Sequence, residues 1–558
     1  MDMQTKITDA VSAASTALGI FEKPVLEHPA ELSHGDYSTN VALVVAKKRG
    51  ENPKALAEKI VTELGAIDGV EKIDVAGAGF INFHLSRSVF AEGIQEILSA
   101  GEKWGRNDFL SGKKIIVEYS QPNPFKPFHI GHLMSTTVGE SISRLVEWSG
   151  SDIRRMNYQG DIGPHVAKCL WGVMKNGSDP KSIAALGEAY VRGATAYEDD
   201  AHAKKEIDDI NKRLYAGDVE LQPLYDAGRK ASLDHFDELY AILGTRFDDS
   251  IFESEVWKRG IAIVMDGLMR GVFAESDGAV VFKGEKVGLH TRVFITSQKN
   301  PTYEAKELGL IEKKLERFPF DLNITTVAVE QESYFRVVEA AMAELWPKTA
   351  GTYTHRAFGM LQMTTGKMSS RKGNVITGES LIEDMRAKAM AKMEGRELGD
   401  AKQATADTVA VGAIKYSILK QNAGKNIIFD PEQSLSFEGD SGPYLQYSHV
   451  RARSVLEKAH TSHLTPQISN PPEEVTELER LLYRFPEVVV RAQKEYEPHY
   501  VTTFLTDIAG AFNSWYAQEQ IVNKDDPASP YKIALTKAFA QTMKNGLWLL
   551  GIQAPEKM

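Results

Sequence analysis

The stretch "IIVEYSQPNPFKPFHIGHL", Ile115 to Leu133, holds the change from strand to helix around which the neighbouring sequence is organised. Ile115 to Val117 form an apolar run, and the prolines that follow force a loop because proline restricts its own backbone and the residue before it. From Gly131 to Trp148 apolar residues recur at helical spacing, and "SDIRRMNYQGD" then predicts a second strand. A β-loop-α-β unit of this kind predicts a parallel sheet.

The composition is that of a large globular protein. Its 558 residues are too many for one core, and the 42% hydrophobic and 25% charged content is ordinary. No apolar run is long enough to span a bilayer. The N-terminal stretch carries Asp2 and Asp9 and lacks a cationic start followed by an apolar block. We therefore expect a cytoplasmic protein with no membrane partner.

The cysteine content and the net charge exclude some kinds of site. The single cysteine, Cys169, excludes an internal disulfide and a multi-cysteine zinc site, so we expect no structural metal. The formal charge of −11 argues against a general nucleic-acid coat but is compatible with local basic patches.

The sequence pattern predicts an α/β multidomain protein. Residues 1–108 read as a small α+β domain, and 109–385 as a parallel-sheet domain. The sheet is interrupted at about 166–265 by a charged helical insertion, which we interpret as a solvated bundle wall. Strands resume at "GAVVF" and "TRVFIT", a helix is predicted from Tyr303 to Lys314, and "DLNITTVAVEQ" supplies another buried strand, giving the sheet a second half. Residues 386–435 are predicted to be a helical connection and 436–558 an all-helical bundle.

Two histidines stand where this fold binds ligands. Open parallel sheets bind them beyond the carboxyl ends of the strands, and phosphates favour helix N-termini. His129 and His132 lie at that place and can donate hydrogen bonds to phosphate oxygens without a fixed charge. Gly131 between them lets a ligand ring approach the backbone. The pattern suits stabilisation of an α-phosphate under attack.

A second cationic element is "GKMSSRKGN", Gly366 to Asn374. Its flanking glycines predict a mobile loop that carries Lys367, Arg371 and Lys372. Nucleotidyl transfer is largely positioning and charge stabilisation, which a closing basic loop supplies. Alone, such a loop is usually a solvated turn, but paired with the histidines it indicates a nucleotide site.

The pair "HIGH" and "KMSSR" resembles the two signature motifs of class I aminoacyl-tRNA synthetases. "VEYSQPNPFKPFHIGHL", "FGMLQMTTGKMSSRKGNVI", "GAIKYSIL", "LSFEGDSGPYLQYSHVRAR" and the terminal "LLGIQAPEKM" are similar to arginyl-tRNA synthetases specifically. The resemblance implies a Rossmann-type catalytic core with an N-terminal domain that contacts the tRNA elbow and a C-terminal anticodon-binding bundle. It also implies a two-step reaction. ATP, with Mg²⁺, and L-arginine give arginyl-adenylate, and the arginyl group then passes to the terminal adenosine of tRNA(Arg). The first step usually needs bound tRNA, and the family tendency is a monomer.

The resemblance also assigns residues in the active site. The ATP-binding set is His129, Gly131, His132, Lys367, Met368, Ser369 and Arg371, and the catalytic set is His129, His132, Lys126 and Lys367. Ser370 stands where the class has a second lysine, so Lys126 is the natural source of the missing charge. Positions that line the arginine pocket in the family match Glu118, Asn123, Tyr303, Glu307 and Gln331, whose carboxylates and amides suit a guanidinium. Position 307 is commonly aspartate in the family.

Four further matches concern tRNA. Phe80 and Asn82 match positions that read a nucleotide at the elbow, where an aromatic and an amide can stack and hydrogen-bond. Tyr516 and Met558 match positions near the anticodon, although Tyr516 is nearly as well explained by core packing. Met558, at the end of the sequence, has little packing reason to be there.

Two other interpretations remain open. The closest rival of the same class is a lysine enzyme, because an acid-lined pocket with Gln331 argues against small apolar substrates. A non-catalytic RNA-binding paralogue is the alternative from a different class. The intact His129, His132 and Lys367 argue against it, because a copy without activity need not retain them.

Overall fold

The computed structural model describes residues 3–364, 377–394 and 401–558, which form two compact units. The first unit comprises Met1–Trp104, Ala452–Phe485 and Gly510–Thr542. The second comprises Gly105–Arg451, Pro486–Ala509 and Met543–Met558.

The N-terminal part of the first unit is the predicted α+β domain. Its elements are α1 (Met3–Ala17), β1 (Leu26–Glu27), β2 (Tyr37–Thr39), α2 (Val41–Arg49), α3 (Pro53–Leu64), β3 (Val70–Ala76), β4 (Phe80–Leu85) and α4 (Arg87–Ala100). The strands pair antiparallel in the order β1-β2-β4-β3, and the helices bury the apolar side chains of one sheet face.

The second unit is built on a parallel sheet, as the sequence predicted. The elements from its beginning to the second motif are β5 (Lys114–Glu118), α5 (Ile130–Trp148), β6 (Asp152–Gln159), α6 (Pro164–Asn176), α7 (Ile183–Asp199), α8 (Ala201–Ala216), α9 (Gln222–Ile242), β7 (Asp249–Phe252), α10 (Glu253–Met269), β8 (Ala274–Ser276), β9 (Ala279–Phe282), β10 (Arg292–Ile295), α11 (Tyr303–Arg317), β11 (Leu322–Ala328), α12 (Glu332–Leu345), β12 (Tyr353–Phe358) and β13 (Leu361–Met363). Within the described residues the parallel strands run in the order β12-β11-β5-β6-β7.

Strand β5 is buried on both faces, which explains its continuous apolar run. Ile115, Val117 and Tyr119 pack against α5, while Ile116 packs with Val256 of α10 and other apolar residues on the opposite face. Because side chains alternate along a strand, Glu118 follows Ile116 onto the α10 and α11 face. The strand therefore directs a carboxylate into the interior at its carboxyl end.

Two strand predictions need correction. The stretch predicted to be helical to Met265 contains β7, the edge strand of the parallel sheet within the described residues. It has only four residues, so its apolar pattern is too short to detect. The "GAVVF" and "TRVFIT" strands, β9 and β10, form a separate antiparallel sheet with β8 instead of extending the parallel sheet.

The last third of the described chain is helical apart from one short strand. Its elements are α13 (Gly378–Lys392), α14 (Lys402–Leu419), β14 (Ile427–Phe429), α15 (Pro431–Ser434), α16 (Gly442–Thr461), α17 (Glu477–Tyr483), α18 (Phe485–Glu495), α19 (His499–Gln518) and α20 (Ser529–Leu549). In the first unit, α17 is tied to the N-terminal domain by ion pairs between Arg480 and Asp36 and between Glu479 and Arg87. The buried Glu479 also accepts a hydrogen bond from Tyr531.

In the second unit, α5 holds the end of the last helix. Arg144 donates to the backbone oxygen of Trp548 at 2.8 Å, and Ser141 donates to that of Leu549 at 2.9 Å. The buried Lys415 of α14 donates to the oxygens of Leu243 and Gly551. These bonds satisfy carbonyls that helix C-termini leave without partners.

Replacing Ser141 with alanine should lower the stability of the second unit by about 1 kcal/mol, because one buried side-chain hydrogen bond is lost. The measurement is urea denaturation of Ser141→Ala beside wild type, followed by tryptophan fluorescence. Ser99→Ala, at an exposed position of α4, is the matched control and should leave the transition unchanged. A Ser141→Ala transition that coincides with wild type would show that the bond to Leu549 contributes nothing.

Candidate active site

His129 and His132 shape the first turn of α5. His129 is the N-cap residue, and its Nδ1 accepts from the Gly131 N–H at 3.1 Å, while His132 Nδ1 accepts from the His129 N–H at 3.2 Å. The rings stack with centroids 3.5 Å apart. A Cβ at position 131 would lie 3.1 Å from the His129 ring, so glycine fits this tight turn.

The hydrogen bonds fix the protonation of both rings. A nitrogen that accepts from a backbone N–H carries no proton, so each neutral ring holds its proton on Nε2. Burial and the nearby Lys126 lower the pKa of His129 to about 4, and burial with His129 as neighbour lowers the pKa of His132 well below its ordinary value. Both imidazoles are therefore uncharged at neutral pH and present one N–H donor each.

The loop between β5 and α5 is held in an unusual backbone conformation. Ser120, Gln121 and Phe125 have φ values of 73°, 57° and 67°, in the left-handed region that non-glycine residues rarely adopt. Gln121 is fixed by its N–H, which donates to Asn157 Oδ1 at 3.1 Å, and by its side chain, which donates to Glu118 at 2.7 Å. Such strain persists where the surroundings determine it, commonly at active sites.

The described residues that follow the second motif contact this turn, although the motif and the turn are far apart in the sequence. Lys367, Met368, Ser369 and Arg371 lie outside the described residues. The residues that follow are described: Gly378 N–H donates to the Phe128 oxygen at 2.8 Å, and Thr377 forms a β-bridge with His129. The described chain therefore resumes after the motif in contact with the histidine turn.

An acidic pocket lies beyond the end of β5. Glu118 is buried and forms an ion pair with the buried Lys314 of α11. Burial and the adjacent Glu118 carboxylate raise the pKa of Glu307 to about 8. Two carboxyl groups that share one buried lysine leave a site short of positive charge, which a bound cation would supply.

Gly160 places Asn123 and a third carboxylate at the same pocket. Its N–H donates to Asn123 Oδ1 at 2.9 Å, and a Cβ there would lie 2.7 Å from that oxygen and 3.3 Å from the carboxyl carbon of Glu253. Glu253 accepts from Lys306 at 2.8 Å, and both are buried. Burial raises the pKa of Glu253.

The other two predicted arginine-pocket residues, Tyr303 and Gln331, are more exposed than Glu118. The Tyr303 side chain is 67% exposed, and its ring lies 5.3 Å from Lys306 Nζ. Gln331 is exposed, and its side-chain oxygen accepts from the Ala328 N–H at 3.4 Å. The structure therefore brings Glu118, Asn123 and Glu307 together, with Tyr303 and Gln331 at more open positions.

Comparisons with known proteins agree over the whole chain. The family model for the catalytic domain of class I (R) tRNA synthetases matches residues 93–431, that for the arginyl-tRNA synthetase N-terminal domain matches 1–85, and that for the DALR anticodon-binding domain matches 445–558. The chain belongs to the arginyl-tRNA synthetase family.

Relatives and solved structures match nearly the whole chain. An arginine–tRNA ligase of Streptococcus thermophilus is 32% identical over 542 residues, 96% of each chain, and one of Clostridium botulinum is 30% identical over 569 residues, 100% of each chain. The arginyl-tRNA synthetase structure of Thermus thermophilus has a TM-score of 0.83 at 24% identity and covers 100% of both chains. That of Plasmodium falciparum scores 0.80 at 20% identity, covering 100% of this chain and 99% of the other. These two structures show the fold alone.

The four residues that match tRNA-contacting positions of the family differ in their exposure to solvent. Phe80 is 42% exposed and Tyr516 is 40% exposed, so both rings are accessible. Asn82 is buried, and its Oδ1 accepts from Ser38 at 2.7 Å. The expectation that Met558 lacks packing partners is wrong, since it is half-buried against the apolar core formed by α5, α13 and α14.

Sequence reasoning missed Glu253 and Lys306. Glu253 begins α10 directly after the undetected β7, and Lys306 is one charge among several on α11. The sequence could have pointed to Lys306 only. It follows the pocket candidate Tyr303 by three residues on the same predicted helix, and residues three apart on a helix share a face. In the described residues no group of three or more potential metal-ligating side chains is present, and no helix has the length and apolarity needed to cross a membrane.

Proposed function

We propose that this chain joins L-arginine to tRNA(Arg) in two ATP-dependent steps. The observation that carries the proposal is the acidic pocket of Glu118, Glu253 and Glu307 beside a helix N-terminus with two neutral imidazole donors. Family membership supports the same reaction. A planar guanidinium matches carboxylates bidentately, which favours arginine over the lysine alternative.

In the first step, a carboxylate oxygen of arginine attacks the α-phosphorus of ATP. The bond from that phosphorus to the β-phosphate bridging oxygen breaks, and pyrophosphate leaves with the electron pair. The Nε2–H groups of His129 and His132 are suited to donate to the phosphate oxygens on which charge develops. Because both rings are neutral, they stabilise this charge without holding the product as a fixed cation would.

In the second step, a hydroxyl of the terminal tRNA adenosine attacks the carbonyl carbon of arginyl-adenylate. The bond from that carbon to the phosphate oxygen breaks, AMP leaves with the electron pair, and the hydroxyl proton is released. The arginine side chain stays bound in the acidic pocket through both steps. Glu118 and Asn123 are assigned to the α-ammonium and backbone end, and Tyr303, Glu307 and Gln331 to the side chain. Lys367, Met368, Ser369 and Arg371 are assigned, with Gly131, to ATP.

The remaining assignments extend the proposal to whole domains. Residues 1–108 contact the tRNA elbow through Phe80 and Asn82, residues 109–385 carry the catalysis, 386–435 connect, and 436–558 read the anticodon region near Tyr516 and Met558. Mg²⁺ enters with ATP as its counter-ion. The enzyme acts as a cytoplasmic monomer.

Replacing Lys126 with alanine should lower the rate of adenylate formation about tenfold, because one charged contact to phosphate is removed. ATP–pyrophosphate exchange measures the first step, and filter binding measures tRNA affinity, which should stay unchanged. Lys113→Ala, an exposed lysine near the start of β5, is the control. Unchanged exchange, or a loss confined to tRNA binding, would remove Lys126 from the nucleotide site.

The charging reaction tests the proposed function. Purified protein, ATP and total tRNA are incubated with each radiolabelled amino acid, and acid-precipitable counts are measured. Arginine alone should be transferred, and tRNA(Arg) transcripts should accept it. Transfer of lysine would establish the rival enzyme, and binding of tRNA without transfer of any amino acid would establish a non-catalytic RNA-binding protein.

A further inference from the structure

The helical insertion contributes to one side of the active site. His165, at the start of α6, forms a 2.8 Å hydrogen bond to the Gly160 oxygen, and Gly160 in turn donates to Asn123. Lys168 follows His165 by three residues, so it lies on the same face of α6. The insertion thus brings Lys168 towards the loop that carries Asn123 and Lys126.

Two tyrosines of α7 hold the two lysines. Lys126 Nζ lies 5.6 Å from the centre of the Tyr190 ring, and Lys168 Nζ lies 4.2 Å from that of the Tyr197 ring. The tyrosines are two helical turns apart, which places them about 10 Å from each other along one face of α7. The lysines therefore stand at a spacing that a polyphosphate can bridge.

Close packing makes this arrangement rigid. Helices α6 and α7 approach backbone to backbone at two glycines: a Cβ at Gly172 would lie 2.2 Å from the Ala189 oxygen, and one at Gly193 would lie 2.0 Å from the Lys168 oxygen. Neither glycine tolerates a larger residue without displacing a helix. Helices α6 and α7 are therefore held in a fixed position against each other.

The two lysines lack a negative partner, unlike their neighbours. Lys306 pairs with Glu253 and Arg229 pairs with Asp161 at 3.0 Å, but in the described ranges neither Lys126 nor Lys168 makes an ion pair with a carboxylate. Burial lowers the pKa of Lys126, the nearby Lys168 ammonium lowers it further, and the Glu253 carboxylate opposes both. A protein that keeps two like charges together has a place for an anion.

We propose that Lys168 of the helical insertion binds the pyrophosphate portion of ATP together with Lys126. The inference rests on the proposed function and adds a residue to it. In this chain Ser370 stands where the class has a second lysine, so positive charge has to come from another element. As the bond between the α-phosphorus and the bridging oxygen breaks, the two ammonium groups neutralise the charge that collects on the departing pyrophosphate. No proton moves in the step.

The test is ATP–pyrophosphate exchange by Lys168→Met with arginine and saturating tRNA. We expect the KM for pyrophosphate to rise about tenfold and kcat to fall, with the KM values for arginine and tRNA within twofold of wild type. Lys175→Met is the matched control, on the same helix but paired with Glu206 at the surface, and should resemble wild type. Lys168→Arg should restore most of the exchange because it keeps the positive charge, and a rise confined to the KM for pyrophosphate is the result that a purely structural role would not predict.

The outcomes separate this inference from the proposed function. Wild-type exchange with arginine tests the function, and only the ratio of variant to wild type tests Lys168. Kinetics of Lys168→Met within twofold of wild type would overturn the inference. A rise confined to the KM for tRNA would also overturn it and assign the lysine to phosphates of the tRNA 3′ end. If the melting temperature of Lys168→Met is below that of wild type, Lys168→Gln is measured in its place. Glutamine keeps an amphipathic side chain, and the same kinetic predictions apply to it.

Discussion

Replacing His132 with alanine should lower kcat for ATP–pyrophosphate exchange by roughly 10²–10³, the usual cost of one donor to a developing oxyanion. The ring is buried, its Nδ1 is occupied by the backbone, and its remaining proton on Nε2 is the group available to a phosphate oxygen. The kcat of His129→Ala should fall by a factor in the same range. Both variants should bind tRNA normally, because the donors act on the transferring phosphate.

The control for the histidines is His84→Ala in the first unit, where the ring bonds to Asp74 at 2.7 Å. Its exchange rate should equal that of wild type. A melting curve distinguishes loss of the turn from loss of chemistry, since His132→Ala also removes an acceptor from the His129 N–H. A folded His132→Ala enzyme with more than a third of wild-type kcat would show that this ring is only a helix cap.

The histidines also give a pH expectation for stability. Their folded-state pKa values lie below the ordinary value of about 6.5. At pH values between the folded-state pKa and the ordinary pKa, the unfolded chain therefore binds more protons than the folded chain. Their contribution to stability is therefore complete above about pH 6.5 and is lost as the pH falls towards 4. Because the rings are neutral throughout, exchange activity should not fall between pH 8 and pH 6 on their account.

Glu307→Gln should raise the KM for arginine by roughly 10- to 150-fold, corresponding to about 1.5–3 kcal/mol for a charged hydrogen bond. The pKa of about 8 adds a sharper expectation. With a pKa of about 8, Glu307 is mostly protonated at pH 7 before arginine binds, and a guanidinium favours the carboxylate form. Arginine binding therefore releases a proton, so the KM for arginine should fall as the pH rises from 6.5 to 8.5.

The variant removes the titrating group, so its arginine KM should vary little with pH over that interval. Glu312→Gln, five residues further along α11 and paired with Arg259 at the surface, should keep both the wild-type KM and its pH dependence. Equal arginine kinetics for Glu307→Gln and wild type would exclude residue 307 from the guanidinium site.

Local sequence patterns predicted the part of the site that is made by adjacent residues. The strand, proline loop and helix from Ile115 to Trp148 lie close together in the chain, so their spacing specifies both the elements and the position of His129 and His132. The strained φ values at Ser120 and Gln121 were not predictable, because Ser120 is held by Ser135 of α5 and Gln121 by Asn157 of the next strand.

The acidic pocket required contacts over long sequence distances. Glu118, Glu253 and Lys314 come from β5, α10 and α11, and nothing in the local pattern says which charges pair. The family resemblance supplied Glu118 and Glu307, while Glu253 followed a strand of four residues that carries no detectable periodicity. Met558 was misjudged because the sequence does not reveal that the end of the chain returns to the core of α14.

ATP–pyrophosphate exchange across the amino acids, with and without total tRNA, tests most directly whether this site activates arginine. Exchange with arginine alone, dependent on added tRNA, is the predicted result, since the proposal assigns a guanidinium to the acidic pocket and the resemblance implies a first step that needs bound tRNA. Exchange with lysine, or no exchange under any condition while tRNA still binds, would contradict the assignment.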